Sequence, residues 1–169
     1  NITQDLQYLK QAYNGDVIWD EIIKIELLPD PKEYVYDFTV PGNQTFMNDQ
    51  GVLVHNTLNS VDWNTQIMIK QGNTIKQEKI GEFIDTIVNK RDNTQTEHHE
   101  NDTTLVWTKN NNIDILSCDE DGDVSWKQIE AVTQHPPINK DGSNTLLCVK
   151  TQGGREVIAT KAKSFLTVQ

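Results

Sequence analysis

Apolar residues in this chain come in short runs broken by Gly, Pro, Asn and Asp. Val17-Ile18-Trp19, Ile22 to Leu28, Tyr34 to Val40, Val52 to Val54, Ile67 to Ile69, Leu105 to Thr108, Ile113 to Cys118, Leu146 to Thr151 and Glu156 to Ala159 read as strands. A spacing of roughly ten residues between such runs predicts an all-β domain. Two segments carry helical spacing instead. Gln4 to Tyr13 sets Leu6, Leu9 and Tyr13 at helical intervals, and Lys79 to Val88 sets Ile80, Phe83, Ile84 and Ile87 on one face. The stretch Asn89 to Thr104 is polar and free of apolar residues, so it reads as a long solvated loop. Asp121-Gly122 and Asp141-Gly142 are hairpin-turn signals.

Composition narrows the function classes. The 169 residues suit a single domain. Fifteen Lys and Arg against twenty-five Asp and Glu give a net charge of −10. Phosphate binding needs clustered cations, so nucleic acid and anionic membranes are not expected partners. No apolar run has the roughly 20 residues of a spanning helix, and the first residues carry neither the basic nor the apolar region of a secretion signal. Cys118 and Cys148 are the only cysteines and form no CxxC pair, so they read as free thiols rather than a zinc site or a disulfide framework.

Three segments carry chemistry. The first is Val35-Tyr36-Asp37-Phe38-Thr39-Val40-Pro41-Gly42-Asn43-Gln44-Thr45-Phe46, followed by Gly51-Val52-Leu53-Val54-His55-Asn56-Thr57. It resembles the C-terminal splicing region of an intein, which ends on His-Asn before a Ser, Thr or Cys. The second, Ser60-Val61-Asp62-Trp63-Asn64-Thr65-Gln66-Ile67, resembles an intein N-terminus. The third, Gly153-Gly154-Arg155-Glu156-Val157-Ile158-Ala159-Thr160-Lys161-Ala162-Lys163-Ser164-Phe165-Leu166, resembles the intein motif with a Thr three residues before a His. The resemblance covers Gly15 to Thr57 and Ser60 to Val168, with the C-terminal part first. It therefore reads as a circularly permuted intein. Residues 1–56 are the C-terminal part, 57–59 a bridge standing for the flanking extein, and 60–169 the N-terminal part. Rejoining Gln169 to Asn1 restores the usual order and leaves no room for a homing endonuclease domain. Val40 to Asn43 and Lys163 to Leu166 look most like polymerase inteins.

The resemblance implies a Hedgehog/intein fold, a flat horseshoe of two pseudo-symmetric β halves with one or two short helices. It implies autocatalytic splicing without cofactor or metal, by a cytoplasmic monomer whose partners are its own flanking sequences. Ser60 would attack the carbonyl of Asn59, exchanging an amide for an ester. Thr160 would hydrogen-bond that peptide. Lys163 stands where most inteins have His, and Lys⁺ only donates unless its pKa falls. Thr57 would take the acyl group by transesterification, with Asp37 beside this step. Asn56 would cyclise to a succinimide, and His55 would polarise its carbonyl or protonate the departing amine. Gln44 replaces another common His and cannot titrate. The rival readings are a non-catalytic β binding module, a splicing-impaired intein and a processing domain that cleaves without ligating.

Two further patterns are set aside. Asp119-Glu120-Asp121-Gly122-Asp123 with Glu130 copies a calcium-loop spacing, but Val124 replaces the glycine and the flanks are strands, so a hairpin turn is expected. Glu97-His98-His99-Glu100 reads as a solvated polar run rather than a metal site. The four Trp are dispersed and form no stacking stripe.

Overall fold

Alternation decides which side chains each strand buries. In Gln66–Gln71, Ile67 and Ile69 point inward; in Thr103–Trp107, Thr104 and Val106 do. Val35–Thr39 is buried on both faces from Val35 to Phe38, as a strand covered on two sides must be. The computed structural model describes residues 14–29, 33–55, 60–90, 95–109, 111–139 and 142–161. Within them lie β1 (Ile22–Leu28), β2 (Val35–Thr39), β3 (Thr45–Met47), β4 (Leu53–His55), β5 (Gln66–Gln71), β6 (Thr74–Lys79), α1 (Ile80–Asn89), β7 (Thr96–His99), β8 (Thr103–Trp107), β9 (Ile113–Cys118), β10 (Val124–Gln128), β11 (Ala131–His135), β12 (Leu146–Thr151) and β13 (Glu156–Ala159). The architecture is all-β with one helix among the described residues. No helix there is long and apolar enough to cross a membrane. The helix expected over Gln4 to Tyr13 lies outside the described residues.

The strands pair antiparallel in the orders β1-β12-β13, β10-β9-β5-β6, β2-β11-β8-β7 and β3-β4. One residue joins two of these groups. Val61 forms an antiparallel bridge to Tyr36 of β2 and another to Ala159 of β13. The core gathers between the sheets around Phe38, Phe46, Val54, Val61, Ile67, Ile84 and Ile115. Burying each such side chain contributes about 1.5–3 kcal/mol relative to leaving it in water. Phe38 meets Phe46 edge-on at 5.2 Å between centroids.

Helix α1 buries Ile80, Ile84 and Val88, one turn apart, with Phe83 and Ile87 partly covered, so the expected face is the observed one. Its first turn lacks a side-chain cap. The turn before β5 supplies the acceptors: Ile80 N–H donates to the Thr65 carbonyl at 2.9 Å and Gly81 N–H to that of Trp63 at 3.1 Å. Asp85, one turn in, then takes Tyr36 Oη–H and Trp63 Nε1–H, each at 2.9 Å, and ties the helix to β2 and to this turn.

Two expectations need correcting. Val17-Ile18-Trp19 is not a strand. Its flanks are tied to loops: Asp16 N–H donates to the Gly122 carbonyl, and the Asp20 carboxylate takes Gly153 N–H and pairs with Arg155. Ile18 and Trp19 stay exposed. The stretch Asn89 to Thr104 is not one loop, because β7 runs through it as an edge strand on β8. Polar strands β6 and β7, short β3, and β10 and β11 carry too little apolar signal to be read from sequence. Asp119-Asp121-Gly122-Asp123 is a hairpin turn as expected, its Asp119 carboxylate already accepting the Asp121 and Asp123 N–H groups.

Candidate functional site

Backbone pairing builds the site around Ser60. Val61 N–H donates to the Tyr36 carbonyl at 2.9 Å, and the Val61 carbonyl accepts Tyr36 N–H at 3.0 Å. On its other side Asp62 N–H donates to the Ile158 carbonyl, and Thr160 N–H to the Ser60 carbonyl, both at 2.9 Å. The segment 60–62 is therefore clamped between β2 and β13. Carrying the antiparallel register one residue on from Val61 sets Ser60 level with Asp37 on one side and Thr160 on the other. Ser60, Asp37 and Thr160 are all buried polar residues.

A fourth residue completes this group. β11 pairs with β2 so that Thr133 faces Asp37 and His135 faces Val35, which puts Asp37 and His135 on one face of the sheet. From there the His135 ring reaches Ser60: Oγ and Nε2 are 2.7 Å apart. Its other nitrogen, Nδ1, lies 2.8 Å from the Pro136 carbonyl oxygen. Burial pushes the His135 pKa below the ordinary histidine value, against a smaller opposite pull from the Pro136 carbonyl. His135 was missed from sequence. It is separated from Ser60 by 75 positions, and the only local cue is a His-Pro-Pro at the end of a polar-looking strand.

The segment after Thr160 is pinned as well. Buried Asn139 accepts Lys161 N–H at 2.9 Å, and its amide donates to the Ser143 and Thr145 carbonyls at 3.0 and 2.8 Å. The Lys161 ammonium donates to Ser143 Oγ at 2.9 Å. The loop between β11 and β12 thus holds residues 160–161 in place.

The other expected residues divide. Asp37 takes Phe38 N–H on its carboxylate at 2.8 Å. His55 ends β4, half-buried and opposite Thr45 of β3, so the β3–β4 hairpin leads directly into residue 56. Gln44 is exposed at φ +52° in the turn before β3, its N–H donating to the Val40 carbonyl. Asn56, Thr57 and Lys163 lie outside the described residues. No group of three metal-ligating side chains occurs among the described residues. Within Glu97-His98-His99-Glu100, Glu97 is engaged by Trp107 Nε1–H at 2.7 Å and by His99 at 3.1 Å, both on the surface. An open depression of about 440 Å³ is lined by Tyr36, Trp63, Asp85 and Gln134. Tyr36 and Gln134 face each other in register, one residue off Asp37 and His135, so they point to the opposite side of the sheet from Ser60.

No protein-family model matches the chain. Fifty of its residues, 30% of the chain, are 56% identical to DNA-directed RNA polymerase subunit Rpo1C of Methanocaldococcus jannaschii and cover 6% of that protein. Over 166 residues, 90% of the chain, it is 22% identical to the replication factor C small subunit of the same organism, covering 9% of it. A 50-residue stretch is 42% identical to the replicative DNA helicase DnaB of Rhodothermus marinus, covering 5% of it. The chain thus spans less than a tenth of the length of each of these relatives.

Proposed function

We propose that this chain is an intein in permuted order, with a Hedgehog/intein fold, which splices by way of Ser60, Thr57 and Asn56. The observation that carries the reading is the setting of Ser60: a buried hydroxyl, clamped by backbone pairing between the strand of Asp37 and the segment of Thr160, with an imidazole in contact. A surface serine of a binding module needs none of this. The relatives add support. An RNA polymerase subunit, a replication factor and a helicase share no activity in their names, and each resembles this chain over a small fraction of its length. An element inserted into unlike hosts leaves that pattern.

In this reading Ser60 Oγ attacks the Asn59 carbonyl and converts the amide to an ester. Burial of the nucleophile keeps water from hydrolysing that ester. Thr57 then takes the acyl group, and cyclisation of Asn56 releases the intein. The reaction is an exchange of acyl bonds and needs no energy source. In the permuted chain, completed splicing would release Thr57-Leu58-Asn59 as a ring. So small a ring disfavours trans amides, so the permuted chain is expected to stay a precursor or to cleave at one junction.

The test uses the rejoined order, Ser60–Gln169 followed by Asn1–Asn56, between two carrier proteins and read by intact mass. A ligated carrier pair and a free intein are expected. A precursor unchanged by time and identical to its Asn56→Ala variant would favour the binding module. Release of the upstream carrier alone would favour the splicing-impaired intein.

A further inference from the structure

We infer that His135 is the proton-transfer group of the first splicing step, taking the Ser60 hydroxyl proton and returning it to the departing Ser60 nitrogen. The inference rests on the splicing reading. Its geometry does not depend on Lys163, the residue at the usual histidine position.

The two ring contacts together fix the proton. A carbonyl oxygen only accepts, so the 2.8 Å contact to Pro136 requires the hydrogen to sit on Nδ1. In a neutral ring Nε2 then carries a bare lone pair, and the hydroxyl of Ser60 must be the donor across 2.7 Å. That is the state a general base needs before reaction. Burial of the ring favours the neutral form at pH 7. The ring is also held from behind. It sits at the end of a paired strand and is followed by Pro136-Pro137, which restrict the backbone there.

The step balances without any added reagent. The Ser60 Oγ–H bond breaks as the Oγ–C bond to the Asn59 carbonyl carbon forms, and the proton moves to Nε2. The tetrahedral species then loses its C–N bond, and the imidazolium returns that proton to the nitrogen, which leaves as the Ser60 amine. The carbonyl of Pro136 stabilises the transient imidazolium through Nδ1–H.

The experiment uses the full chain carrying Asn56→Ala and Thr57→Ala, so that the reaction stops at the ester. Hydroxylamine cleaves an ester but not an amide, so the readout is the appearance by mass of residues 60–169 and the hydroxamate of residues 1–59. Ser60→Ala should abolish both fragments. His135→Gln and His135→Ala should slow their formation by about 10²–10⁴-fold, and added imidazole should restore rate to His135→Ala. Thermal unfolding of each variant separates lost chemistry from lost fold, and the imidazole arm reads out the chemistry even where one substitution destabilises the chain. A parent that never yields the fragments overturns the splicing reading and this inference with it. A parent that cleaves while His135→Gln, folded, cleaves equally fast overturns the inference alone. Slowing in both variants with no imidazole rescue would assign His135 to holding Ser60 in place, and would likewise overturn it.

Discussion

Burial of the His135 ring couples folding to pH. An unfolded histidine titrates near 6.5, and in the folded chain the value is lower. Between the two values the unfolded state binds more protons, so stability rises with pH there. His135 therefore favours folding fully above the unfolded value and progressively less as pH falls through the folded one. Melting temperatures from pH 7 to pH 5 should decline in the parent, and His135→Gln should flatten part of that decline. An identical slope in the two proteins would rule out the effect. At this scale the sequence showed three of the four residues gathered at the candidate site. Ser60, Asp37 and Thr160 were legible because each sits in a contiguous motif, and backbone pairing then brings the three motifs together. His135 was illegible because the β2–β11 register is what brings its ring to Ser60, and no local pattern encodes a partner 75 positions away.

Helix α1 and the turn before β5 form one unit, and Gly81 is where they touch most closely. A Cβ on Gly81 would overlap Cδ1, Cγ and Nε1 of Trp63. The indole cannot swing away cheaply, because its Nε1–H is bonded to Asp85 and the Trp63 carbonyl takes Gly81 N–H. Helix propensity alone favours alanine by up to ~1 kcal/mol. Overpacking against a fixed ring costs about 1–3 kcal/mol. Gly81→Ala should thus destabilise by up to about 2 kcal/mol in urea unfolding, and a stabilised variant would show that the indole is free to move. Asp85→Ala should cost about 1–3 kcal/mol, since it strands both the indole N–H and the Tyr36 hydroxyl. The helix itself was plain in the sequence because Ile80, Phe83, Ile84 and Ile87 recur at helical spacing on one face, to which the structure adds Val88. Strands were plain where they carry apolar runs, whether these are buried, as in β2 and β9, or exposed, as Ile23, Ile25 and Leu27 of β1 are. β7, Thr-Glu-His-His, exists by hydrogen bonding one edge of β8 while its side chains largely meet water, and hydrophobic patterning does not register that. Val17-Ile18-Trp19 is the converse, an apolar run that finds no strand to pair with.

Across the whole molecule, the proposed chemistry uses hydroxyls, an amide and imidazoles, and leaves both thiols as packing groups. Cys118 closes β9 beside Thr45, whose hydroxyl donates to the Cys118 carbonyl at 2.9 Å and accepts its N–H at 3.2 Å. Cys148 lies within β12, between β1 and β13. Both are buried and free, and burial pushes both thiol pKa values up, so neither is a ready thiolate at neutral pH. Replacing both by serine should leave the splicing rate of the rejoined chain unchanged, and oxidants should not slow the parent. The cost falls on stability instead. At Cys118 a hydroxyl can keep the bond that the thiol now makes to the Asp119 carbonyl at 3.4 Å. At Cys148 the Glu156 side chain beside the thiol can accept from a hydroxyl in its place, but setting a hydroxyl into that buried position still costs about 0.5–2 kcal/mol. The double variant should therefore melt lower yet splice at the parent rate below its transition. If it keeps its fold by circular dichroism but no longer ligates the carriers, a thiol takes part in the reaction and the hydroxyl route through Ser60 and Thr57 is wrong.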